Sequence, residues 1–132
     1  MIVRFASVGA LFGLLAVILG AFGAHALEGR VGADRLAIWA TACDYLGWHG
    51  TTLLALGLAG SRLQARRLAM AAAWCISAGS FVFSGSLYLL VLSGQGLWGA
   101  VTPLGGLLLA IGWGLLAATL LFEQGPSGPN RH

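Results

Sequence analysis

Charge is what this chain has least of. Only 8% of its 132 residues are charged, lysine does not occur, and no charged side chain stands between Arg67 and Glu123. A soluble domain is about one quarter charged. The uncharged stretch from Leu68 to Phe122 is long enough for two bilayer crossings of about 20 residues each. Scarcity of charge therefore excludes most soluble-enzyme readings. Cysteine is scarce as well: Cys43 and Cys75 are the two, and no CxxC or HExxH spacing is present to suggest a metal. At about 1.5 Å of rise per residue the two thiols fall at depths roughly 15 Å apart, too far for a disulfide. Both are expected to be free.

What the chain has in quantity is apolar surface, with 58% hydrophobic residues and 21 glycines. It is too short for two independent cores but long enough for about four helices of membrane-spanning length. The expected fold is all-α, a four-transmembrane-helix bundle with short loops in one domain over residues 1–124. The spans fall at about 5–24, 38–60, 68–92 and 97–122, and residues 125–132 form a disordered tail rich in Gly and Pro. Asp34 is placed to cap a helix beginning at Arg35, with Trp39 in its interfacial first turns. Ser93 to Gly96 is the turn before the fourth span, and Pro103 falls in that span's first turn. Arg4, the apolar stretch after it and Ala24-His25-Ala26 imitate a secretory signal, but the stretch exceeds the 7–15 residues of such a core and is expected to be retained.

With four spans, Arg4, Arg62, Arg66, Arg67 and Arg131 lie on one side, against Arg30 and Arg35 on the other. The positive-inside bias then puts both termini in the cytoplasm. No basic run interleaved with aromatics occurs, so the net charge of +3 reads as an orientation signal rather than a nucleic-acid footprint. Helices in lipid lack a hydrophobic drive to associate and pack through small residues. Two ridges of this kind are present, Gly9, Gly13, Ala16, Gly20 and Ala24 in the first span and Gly106, Ala110, Gly114 and Ala118 in the fourth. They are expected to be contacts within one chain rather than dimerisation faces.

The second span carries the polar residues. On a helix of 100° per residue Thr41, Asp44, Tyr45, Trp48, His49 and Thr52 fall within an arc of about 140°, expected to face protein or water. An aspartate at mid-span costs about 2.5 to 3.5 kcal/mol on insertion scales, which disfavours a lipid-facing position. Counting depth along each span brings His25, Asp44, Tyr45, His49, Ser84, Ser86, Tyr88 and Thr102 together in the outer half of the bundle. This set is the candidate polar cluster, equally able to hold helices together or to relay protons or bind a small polar ligand. No residue is assigned to catalysis, to a cofactor or to a metal. Ser84 and Ser86 match no nucleophile elbow, and Gly20 to Ala24 is not a dinucleotide loop, because no strand precedes it.

Four ordered segments, Leu19-Gly20-Ala21-Phe22-Gly23-Ala24-His25, the Tyr45 to His49 spacing, Phe83-Ser84-Gly85-Ser86-Leu87-Tyr88, and Thr102-Pro103-Leu104-Gly105-Gly106 with Gly112-Trp113, resemble YgdD-like proteins. These are small bacterial inner-membrane proteins classed as a domain of unknown function. The resemblance covers about residues 5–122 and implies four transmembrane helices in the inner membrane, without implying an activity. The expected function is that of a non-enzymatic accessory or assembly factor for a membrane complex. The alternative is a small transporter or proton conductor using the polar cluster. The expected partners are the lipid bilayer and other membrane proteins, including further copies of the chain through small-residue helix faces, with no nucleic acid and no cofactor.

Overall fold

The computed structural model describes residues 2–60 and 62–124; the tail at 125–132, with Arg131, lies outside the described residues. The described chain is all-α. It comprises α1 (Arg4–Phe22), a short π-helical turn (Gly23–Leu27), α2 (Ala33–Ala59), α3 (Arg66–Ser93) and α4 (Leu97–Glu123). Three of these, α1 with its π continuation, α3 and α4, are long and apolar enough to cross a membrane. The fourth, α2, matches α4 at 27 residues, about 40 Å of helix, but carries the polar stripe.

Neighbouring helices run antiparallel. α1 packs on α2, α2 on α3 and α3 on α4, so α2 and α3 form the centre and α1 and α4 flank them. The α1–α2 seam is built from absent side chains. A Cβ on Gly9 would lie 2.4 Å from the Gly50 carbonyl oxygen and 2.5 Å from the Leu54 nitrogen, and one on Gly57 would meet the Ala6 nitrogen at 2.3 Å. Backbone therefore touches backbone, which compensates in dispersion contact for the hydrophobic drive that lipid does not supply. The α3–α4 seam works likewise. A Cβ on Gly105 would lie 2.5 Å from the Phe83 nitrogen, and one on Gly112 would press on Ile76 at 2.7 Å.

That seam corrects the expected α4 ridge. Gly105, Leu109, Gly112 and Thr119 are the buried residues of α4, whereas Ala110 and Gly114 are exposed and Gly106 and Ala118 only half-buried. The contact face is rotated by about one residue, or 100°, from the small-residue ridge. Leu109 and Thr119 fill spaces between the glycines that an unbroken small ridge would leave empty. Of the first ridge, Gly9 in α1 is buried as expected, but Ala24 falls in the π turn and is exposed.

Helix ends also differ from expectation. α2 starts at Ala33 with Gly32 as its N-cap and no side-chain cap. Asp34 therefore sits inside the first turn, where its charge complements the helix dipole rather than capping a free N–H. Pro103 lies inside α4, in its second turn. Ser93 to Gly96 does form the turn, with Gly94 left-handed at φ +70° and its N–H donating to the Leu90 carbonyl. A Cβ on Gly94 would lie 2.9 Å from Arg35 Nη2, so the Arg35 guanidinium rests against the negative end of α3.

Candidate functional site

The buried polar groups of the central helices are satisfied pairwise. Ser84 on α3 donates to the Ala42 carbonyl of α2 at 2.8 Å, and the Tyr88 hydroxyl donates to Cys43 Sγ at 3.4 Å. Ser86 shares a hydrogen bond of 2.8 Å with Thr102 of α4. His49 on α2 is 5% exposed. Its Nδ1 lies 2.6 Å from the Tyr45 carbonyl of its own helix, and its Nε2 accepts from Trp113 Nε1 of α4 at 3.1 Å. Tyr45 stacks on Phe83 with ring centroids 4.4 Å apart. Of the eight residues of the expected cluster, Tyr45, His49, Ser84, Ser86, Tyr88 and Thr102 thus join helices α2, α3 and α4.

They do not form one cluster at one height. Ser84, Ser86, Tyr88 and Thr102 lie toward the end of the bundle that carries the α1–α2 and α3–α4 connections. The His49–Trp113 pair sits about 15 Å above Ala59 and about 24 Å below Ala33, in the other half. His25 and Asp44 are not part of the buried set at all. His25 is exposed on the π turn and Asp44 is exposed on α2. The polar stripe of α2 is consequently split. Thr41, Asp44 and Trp48 face outward, Tyr45 and Thr52 are half-buried, and only His49 is fully enclosed. The reason is steric: Ala42, Leu46, Gly50, Leu53 and Gly57, all buried, allow closer approach to neighbouring helices than the bulkier polar face does.

A residue that the sequence did not single out as buried organises the connection end. Trp39 is 3% exposed. Its indole N–H donates to the Leu19 carbonyl at 2.7 Å, and its ring lies 4.6 Å from Tyr88 and 5.6 Å from Phe22, centroid to centroid. A Cβ on Gly23 would be 2.5 Å from Trp39 Cδ1. The glycine of the Leu19–His25 segment is thus the seat of the indole, and the chain turns from α to π helix where that indole takes up a carbonyl. With Leu27, Cys43 and Val91, Trp39 makes a second apolar core. The pairing of Gly23 with a tryptophan 16 positions later was the available signal.

Cys43 is buried and Cys75 half-buried, and both are free. Among the described residues no three His, Cys, Asp or Glu side chains come together as a metal site.

A helical chain with apolar, membrane-length helices and polar groups spent between them is an integral membrane protein. The chain belongs to the family described as protein of unknown function (DUF423), whose model matches residues 19–106. Relatives carry the same uninformative kind of name. The UPF0382 membrane protein of Staphylococcus aureus (strain bovine RF122 / ET3-1) is 42% identical over 89% of this chain and 96% of its own length. The UPF0382 membrane protein YwdK of Bacillus subtilis (strain 168) is 40% identical over 83% of this chain and 89% of its own. No solved structure matches. The matched region includes the Gly23–Trp39 contact, the Ser84 and Ser86 bonds and Thr102.

Proposed function

We propose that the protein crosses the bacterial inner membrane four times, with both termini in the cytoplasm, and acts as a non-enzymatic accessory or assembly factor for a membrane complex. α2 supplies the fourth crossing, being as long as α4 and packed antiparallel between α1 and α3. Arg4, Arg62, Arg66 and Arg67 lie at one end, against Arg30 and Arg35 at the other, and the acidic residues at either end count little in the positive-inside rule. That asymmetry favours the arginine-rich end inside.

One observation carries the accessory reading. No buried side-chain nitrogen or oxygen among the described residues lacks a hydrogen-bond partner. Ser84, Ser86, Thr102, Tyr88 and His49 bond across helices, Ser80 and Thr119 bond carbonyls of their own helices, and the groups that a conducting path would present are thus already engaged. His49, the one enclosed ionisable group of the polar stripe, has both ring nitrogens in use. With short loops, the surface left for interaction is the membrane-facing one.

Native mass spectrometry of the tagged full-length protein, released from its own membranes in mild detergent, is expected to show a complex of fixed stoichiometry. A lone monomer that supports ion flux after reconstitution in liposomes would overturn the accessory role in favour of transport. Orientation is checked independently. A cysteine in place of Arg62 should resist a membrane-impermeant maleimide in intact cells, and one in place of Gly29 should react.

A further inference from the structure

Asp44 is the charge that the fold does not use. It stands about 16 Å along α2 from Ala33 and about 22 Å from Ala59, well inside the length that would lie in lipid, and it is exposed. No described side chain donates a hydrogen bond or an ion pair to it, while every buried polar group nearby is satisfied. Ionisable side chains at such a depth pair with another group or line a polar cavity, and within this bundle Asp44 has no such pair.

The surface around Asp44 is hollow. Two adjoining depressions between α1 and α2, of about 460 and 310 Å³, share Cys43, Asp44 and Gly20 in their walls. Gly13 and Gly20 of α1 border them, and a Cβ on either would meet nothing within 4 Å. Their smallness serves no contact within the chain, unlike that of Gly9 and Gly23. The result is a shallow trough along the α1–α2 pair with a carboxylate in its wall.

We propose that this trough seats a transmembrane helix of a different protein, one bearing a lysine, arginine or histidine level with Asp44. The proposal rests on the accessory reading and gives it an address. Charge complementarity selects the occupant. Among the described residues a second copy of this chain offers no cation at that level, because the described arginines lie at the helix ends and loops and His49 is enclosed with both nitrogens engaged. His25 sits near the level of Trp39, more than a helical turn from Asp44, and a two-fold pairing across the trough would set Asp44 against Asp44. A lipid tail offers no donor at all.

The test is photo-crosslinking in the native membrane. A photoreactive phenylalanine analogue is placed at Val17 or Thr51 in the trough, and at Leu107 of α4 or Phe81 of α3, outside the trough, as controls. The trough positions are expected to give one discrete adduct, with the crosslinked peptide mapping to a membrane helix that contains Lys, Arg or His. Asp44→Asn should lower that adduct at least about tenfold, Asp44→Glu should keep it, and exchanging the two charges between partners should restore it. Both Asp44 variants should purify with wild-type melting temperature, because the side chain has no partner to lose. Adducts only with a second copy or with lipid, or an adduct indifferent to Asp44→Asn, would overturn the proposal. If a stoichiometric partner is found by mass spectrometry but crosslinks only from Leu107 or Phe81, the trough is the wrong address while the accessory reading stands. Absence of any partner together with ion flux sinks both.

Discussion

Trp113 donates its indole N–H to Nε2 of His49, 3.1 Å away and 64 residues apart in the chain. An indole can only donate and the Tyr45 carbonyl at Nδ1 can only accept, so together they fix the Nδ1–H tautomer of the imidazole. Among the described residues this is the one side-chain hydrogen bond between α2 and α4. Trp113→Phe keeps an aromatic ring and leaves Nε2 without a donor, whereas His49→Ala leaves the indole without an acceptor. A double-mutant cycle on unfolding in detergent should return a coupling of about 1 kcal/mol, within the range for interhelical bonds in membrane proteins. Additive single effects would mean that the bond contributes nothing.

Glycines in one helix should respond oppositely to the same substitution. Gly9→Ala drives a methyl into the α2 backbone at 2.4 Å, and backbone cannot swing aside, so α1 must lift from α2 at a cost of about 1 to 3 kcal/mol. Gly13→Ala meets nothing within 4 Å and gains helix propensity of up to about 1 kcal/mol. Melting temperatures of the purified variants in detergent should fall for the first and hold or rise for the second. A matching loss in both would mean that the α1–α2 seam is not the one described.

This contrast also shows where sequence reasoning had purchase. Apolar length and the Ser93–Gly96 turn located the helices, because covalent geometry and hydropathy act locally. Helix faces were much less legible. In water the buried face is the apolar one, but in lipid both faces are apolar, so periodicity loses its meaning and small residues become the only guide. That guide misled on α4, where Gly105 and Gly112 pack and Gly106 and Gly114 do not. On α2 the polar stripe was the guide, and it misled because Asp44 and His49 stand five residues apart on it and only the enclosing helices decide that one is buried and the other bare. Trp39 and Gly23 belong to a long-range fit that no periodicity encodes.

That fit is itself open to test. A methyl at position 23 would displace the Trp39 indole, breaking its 2.7 Å bond to the Leu19 carbonyl and loosening the contact with Tyr88. Gly23→Ala should destabilise by about 1 to 3 kcal/mol. In a Trp39→Leu background, where the indole is gone, the same change should cost distinctly less, because the clash and the bond are already absent. Chemical denaturation of the four proteins in one detergent measures the coupling. An undiminished penalty in the Trp39→Leu protein would show that Gly23 is required by the π turn and not by the tryptophan.

At the arginine-rich end, Glu123 closes the bundle. One carboxylate oxygen, Oε1, accepts from the backbone N–H groups of Gln64 at 2.7 Å and Ala65 at 2.9 Å. α3 has no side-chain cap of its own, so the last turn of α4 supplies one across 58 residues, and the negative charge faces the positive pole of α3. Glu123→Ala removes both acceptor and charge and should cost about 1 kcal/mol, the usual value of an N-cap. Glu123→Gln keeps an oxygen to accept and should cost less. Hydrogen exchange separates a capping effect from a general loss of stability. In the Ala variant the amides of Gln64 and Ala65 should exchange faster, while those at Ala42 and Ile76, in the middle of the bundle, keep their protection. Uniform acceleration across the chain would instead make Glu123 a determinant of global packing, with no special bond to the start of α3.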